Sequence, residues 1–268
     1  MEYNITKGAV ETKGGRMQYF CTGTGEADLV LLPGLSITGL MSAAPAVAKA
    51  YEVFTQKCRL WLFDRPDVLA EGCSIRDMAR DTAEAMKELG LSQAYVIGCS
   101  MGGMIAQCLA EEYPELVKEL VITNSMARPN ALARRTFTRW IALAKAGNVV
   151  ALNRDVQTKV YSQEYFRRFA DAFKAQETVG TPEDILRFRI QAEACLHFDA
   201  YEDLAKLHCP TLVVGAWKDR VLSGQTSVAL AKKLKCELYM TEYCGHATYD
   251  ESPVFKNDVY QFFFYISQ

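Results

Sequence analysis

The sequence predicts an α/β protein, a mostly parallel, doubly wound sheet with a helical insertion in its second half. Short apolar segments rich in β-branched and aromatic residues alternate with helical patterns through residue 125. Between residues 126 and 203 only helical patterns occur, and from Pro210 the alternation resumes. Helices crossing between parallel strands cover both faces of a sheet, so its strands read as continuous apolar runs rather than half-polar ones. The expected division is a core of residues 1–125 and 204–268 and a helical cap of residues 126–203.

Residues 5–10 and 17–22 read as an opening hairpin, because Lys13-Gly14-Gly15 supplies the turn between two strand-like runs. Residues 29–32 form a buried strand ending at Pro33-Gly34, and residues 60–63 a second, closing on Asp64-Arg65-Pro66. Over 75–89 the residues Ile75, Met78, Ala79, Met86 and Leu89 share one helical face, and Gly90 ends the helix. Residues 94–97 are strand-like, the helix that follows from Met101 stops before Pro114, and 120–123 is another strand. Pro129-Asn130, Gly147-Asn148 and Gly180-Thr181-Pro182 divide the cap into helices. Residues 211–214 and 237–241 then read as strands, 223–234 as a helix, and 253–265 as a closing, aromatic-rich helix.

A chain of 268 residues can bury a full core, and a composition of 50% hydrophobic and 23% charged residues is that of a globular domain. A net charge of −2 argues against nucleic acid as a partner. Met1-Glu2-Tyr3-Asn4 is polar and no apolar run reaches the roughly 18 residues of a membrane span, so a cytoplasmic protein without membrane attachment is expected. Nine scattered cysteines with no CxxC pair are read as reduced thiols, several of them packed in apolar segments, and no metal site is expected.

Residues 96–103 read Val-Ile-Gly-Cys-Ser-Met-Gly-Gly, a strand running into a G-x-S-x-G turn centred on Ser100. Glycines two before and two after the serine let the strand reverse sharply into a helix, because no Cβ obstructs the opposing backbone. The hydroxyl is then presented outward, beside the free N–H groups of the helix start. A serine is a weak nucleophile at neutral pH and needs a base, which in turn needs an orienting group. Of three histidines, His197 lies in the cap and His208 at a strand entry, while only His246 follows a core strand, at the edge where open parallel sheets bind ligands. Asp219 follows another strand end and is the candidate acid, with Asp199 and Asp250 as weaker rivals.

With the order Ser100, Asp219, His246, the chain resembles the α/β-hydrolase family from end to end, cap included. The resemblance implies an oxyanion hole made by the backbone N–H groups of Met101 and Leu35. It departs from many relatives in carrying Pro33-Gly34 where they have His-Gly, and in replacing their Gly-x-Gly-x-Ser loop with residues 66–72. Ser36, Phe137, Trp140 and Trp217 are the pocket candidates, favouring an apolar acyl or aryl group. The expected reaction is hydrolysis of a small-molecule carboxylic ester through an acyl-enzyme, without cofactor or metal. The same three residues leave lactone, thioester, carbon–carbon and peptide bonds open, and also a receptor that binds with little turnover. Relatives with an aspartate nucleophile are disfavoured by the serine at position 100.

Overall fold

In the computed structural model, which describes residues 4–266, strands and helices alternate as the apolar pattern requires. Strands β1 (Thr6–Thr12) and β2 (Gly15–Thr22) form the hairpin, with Gly15 at φ +117°, and are followed by β3 (Ala27–Leu32) and α1 (Ala44–Ala50). Next come β4 (Cys58–Pro66), α2 (Ile75–Glu88), β5 (Ala94–Cys99), α3 (Met101–Glu112) and β6 (Val117–Thr123). Helices α4 (Ala131–Lys145), α5 (Val149–Val160), α6 (Gln163–Arg168), α7 (Ala170–Gln176) and α8 (Pro182–His197) fill the insertion. The core then closes with β7 (Thr211–Ala216), α9 (Gly224–Leu234), β8 (Glu237–Thr241), α10 (Thr248–Glu251) and α11 (Phe255–Gln261).

Among the described residues eight strands form one sheet in the order β1-β2-β4-β3-β5-β6-β7-β8. Only β2 runs against its neighbours β1 and β4; every pairing from β4 to β8 is parallel. Strand alternation divides the apolar residues between two cores. On one face Val30, Leu32, Val96 and Ile122 pack under α2, α3, α9 and the insertion; on the other Leu29, Leu31, Ile97 and Val121 pack under α1 and α11. Hence β3 and β5 are buried on both sides, and their carboxyl ends meet where Ser100 emerges.

The helix starts follow local chemistry. Ser74 and Asp77 form a reciprocal cap on α2, each side chain accepting from the other's backbone N–H, and Thr181 and Asp184 do the same on α8, where Pro182 occupies the first turn. Such a cap contributes about 1 kcal/mol. Two features depart from expectation. Helix α1 lies in a stretch that shows no marked periodicity, since alanine supplies little apolar contrast. The closing helix is shorter than 253–265: α11 starts at Phe255, and Phe262–Ile266 continues as a wider π turn. No helix among the described residues is long and apolar enough to cross a membrane.

Candidate active site

Ser100 sits between β5 and α3 with φ 53° and ψ −116°, a conformation that costs a non-glycine residue about 1–3 kcal/mol. The surroundings over-determine it. Its N–H donates to the Thr123 carbonyl (2.9 Å), and its own carbonyl accepts from Gly103 N–H (2.9 Å) and the Ser125 hydroxyl (2.7 Å). The flanking glycines are needed for close approach. A Cβ on Gly98 would lie 2.6 Å from the Gly102 carbonyl oxygen, and one on Gly102 only 1.9 Å from that of Leu32.

The loops after β7 and β8 bring Asp219 and His246 to this serine. His246 Nε2 is 2.8 Å from Ser100 Oγ, and Nδ1 is 2.8 Å from Asp219 Oδ2. A carboxylate can only accept, so Nδ1 carries the proton and Nε2 is left to accept from the serine hydroxyl. All three residues are buried. Burial pushes the Asp219 carboxyl upward, but the attraction and hydrogen bond of His246 and the N–H groups of Leu222 and Val221 outweigh it and hold the group below its ordinary value. Those two N–H groups reach Asp219 Oδ1 at 2.9 and 2.8 Å, and Asn124 Nδ2 lies 3.5 Å from Oδ2.

Loop 33–36 runs against the serine: a Cβ on Gly34 would be 3.1 Å from Ser100 Cβ. Leu35 and Ser36 line a cleft of about 230 Å³ together with Gly34, Tyr51, Cys99 and Asp250. Met101 opens α3 with its side chain fully buried. The insertion supports the His246 loop from the other side. Ala247 N–H donates to the Val160 carbonyl (3.0 Å), and Glu251 Oε1 accepts from Gly245 N–H (3.1 Å) and Ser162 N–H (2.9 Å). Gly245 has no room for a side chain there, since a Cβ would lie 2.6 Å from Ser162 N.

The remaining sequence candidates fall elsewhere. Phe137 and Trp140 are each 2% exposed and pack inside the insertion, ring centroids 5.7 Å apart, with Trp140 also against Phe188. A buried indole N–H needs an acceptor, and Asp155 Oδ2 supplies it at 2.9 Å, which fixes Trp140 as an interior residue of the insertion. Trp217 is 44% exposed, its backbone N–H held by the Thr241 carbonyl. Asp199 accepts from the Tyr201 N–H, and Asp250 accepts from the Tyr161 hydroxyl (3.0 Å) at the cleft wall. His197 ends α8 and His208 precedes β7. Asn124, Ser125 and Glu251 lie in no sequence motif that points to them. The first two follow β6 at the same sheet edge as Ser100, and the φ of 46° at Asn124 is visible only in three dimensions. Among the described residues no group of three or more His, Cys, Asp or Glu is placed to hold a metal ion.

This fold and the buried Ser-His-Asp arrangement on its sheet edge define an α/β hydrolase. The family model for the alpha/beta hydrolase fold matches residues 41–253, and the chain belongs to that family. Relatives include RutD of Variovorax paradoxus, named as a carbamate hydrolase, 30% identical over 203 residues that span 74% of this chain and 76% of that protein. RutD of Caulobacter sp. is 30% identical over 183 residues, 66% of this chain and 68% of its own. Among solved structures, an alpha/beta hydrolase enzyme from a Medee basin deep-sea metagenome library superposes with a TM-score of 0.86 at 22% identity, covering 96% of this chain and 97% of that one. The enol-lactonase from Burkholderia xenovorans does so with a TM-score of 0.83 at 19% identity, covering 96% and 99%. These structural likenesses speak to the fold.

Proposed function

We propose that this hydrolase cleaves a small-molecule carboxylic ester through an acyl-enzyme on Ser100. The observation that carries the reading is the continuous chain of hydrogen bonds, 2.8 Å and 2.8 Å, from Ser100 Oγ through His246 to Asp219. Ser100 Oγ attacks the carbonyl carbon as His246 Nε2 takes its proton, and the backbone N–H groups of Leu35 and Met101 receive the oxyanion. The imidazolium, stabilised by Asp219, returns that proton to the departing alcohol. Water then enters, gives a proton to His246 as it attacks the acyl-enzyme, and the serine leaves with that proton. Helices of residues 126–203 act in this reading as a cap over the serine.

The relatives named as carbamate hydrolases favour a second substrate reading, a carbamoyl carbonyl attacked by the same serine. One panel tests both: kcat/KM for p-nitrophenyl acetate, an aryl carbamate, a lactone and a thioester, on the parent and on Ser100→Ala. Turnover is expected to fall by about 10⁶ in the variant, and fluorophosphonate labelling to vanish with it. Label retained on another residue would move the nucleophile. A single stoichiometric burst with every substrate would make the protein a binder rather than an enzyme.

A further inference from the structure

A second ionic cluster lies between the sheet, loop 33–40 and the insertion. Asp64, Arg65 and Arg187 are all buried. The Arg65 guanidinium donates to the Pro33 carbonyl, at the start of the loop that carries Leu35. Asp64 Oδ2 accepts from Leu40 N–H (2.7 Å), at the end of the same loop, and Oδ1 accepts from the Arg65 N–H (2.7 Å). Arg187, on α8, completes the cluster: its Nη2 donates to Asp64 Oδ1 (2.7 Å) and the Arg65 carbonyl (2.8 Å), and its Nε to the Pro66 carbonyl (3.2 Å).

Two arginines and one carboxylate are an expensive way to fill an interior, because desolvation of each charge opposes the attraction between them. Burial pushes the Arg65 guanidinium down to about 10 against the pull of Asp64. Apolar side chains of similar volume would stabilise such a place as well or better. What the charges supply is geometry: both ends of an eight-residue stretch, Pro33 to Leu40, are tied to adjacent residues of β4, and α8 is tied to the same two residues.

We propose that Arg187 is a positioning residue for the oxyanion hole: by clamping Asp64 and the backbone of β4, the insertion fixes the loop that presents the Leu35 N–H beside Ser100. The proposal rests on the serine-hydrolase reading above. An oxyanion donor acts on the charge that develops in the transition state, so its misplacement lowers kcat and leaves ground-state binding nearly untouched.

The test is Arg187→Gln in the full chain, with p-nitrophenyl acetate as substrate, phenylboronic acid as the tetrahedral mimic, and thermal melts alongside. The folded variant is expected to lose about 10- to 100-fold in kcat, less than removal of a donor outright, with KM within about twofold and boronate affinity weakened in parallel. Arg187→Lys keeps the charge opposite Asp64 but not the fork to two carbonyls, and is expected at an intermediate kcat. Should the Gln variant fail to fold, the Lys variant decides by the same split. Parental kcat and boronate affinity in folded protein, or a loss confined to KM or proportional to the unfolded fraction, overturns the proposal. Turnover surviving in Ser100→Ala would instead overturn the serine mechanism.

Discussion

Asp219 carries its charge in a place where burial opposes it, and the groups that outweigh burial are His246 and the N–H groups of its own loop. Its folded value lies below the unfolded one of about 3.9, so the stability it contributes is present above that pH and is lost as pH falls toward the folded value. Asp219→Asn lacks this contribution at every pH. The stability gap between parent and variant, read from denaturant unfolding at pH 5 and pH 3, is therefore expected to be smaller at pH 3. In the same variant kcat should fall by about 10⁴, because an amide can donate to Nδ1 and select the wrong tautomer. A silent Asp219→Asn would transfer the orienting role to another group. Ser100, Asp219 and His246 could be picked out from the sequence because the chemistry demands three residue types, and each follows an apolar run. Asn124 and Ser125 could not. Their signal is a backbone angle and a bond to the Ser100 carbonyl, neither of which residue type reveals.

Elements were legible where apolar contrast is strong. Strands β3 to β7 and helices α2 and α3 alternate sharply between apolar and polar stretches, whereas α1, with four alanines in Ala44–Ala50, gives no such contrast. The same limit applies to α4. Its pattern shows that Phe137 and Trp140 share a face but not what that face meets, and the structure answers with Phe188 and Asp155 rather than an open pocket wall. Trp140→Ala is accordingly expected to destabilise the protein by about 3–5 kcal/mol, through lost contacts and the loss of the indole donor to Asp155 Oδ2, while Oδ1 keeps Arg139. Denaturant unfolding measures this, and acetate turnover by the fraction that remains folded should stay near the parent's. A stable variant with altered acyl-chain preference would return Trp140 to the pocket.

At the scale of the whole molecule, two of the places where the insertion grips the core adjoin different parts of the proposed machinery. Arg187 holds Asp64 next to loop 33–40, while Glu251 joins the loop of His246 to Ser162 at the start of α6. If the insertion seats as one body, weakening either grip loosens the other. Glu251→Ala strands two backbone N–H groups and should cost about 1–3 kcal/mol of stability, with kcat falling because the His246 loop loses a tether. The informative experiment is the double-mutant cycle with Arg187→Gln, reading kcat for p-nitrophenyl acetate in the parent, both single variants and the double. A shared seating predicts that the double variant loses less than the product of the single losses, with a coupling of at least about 0.5 kcal/mol between sites that share no hydrogen bond. Strict additivity would mean that the core holds the two loops independently, so that the insertion covers the serine without setting its geometry.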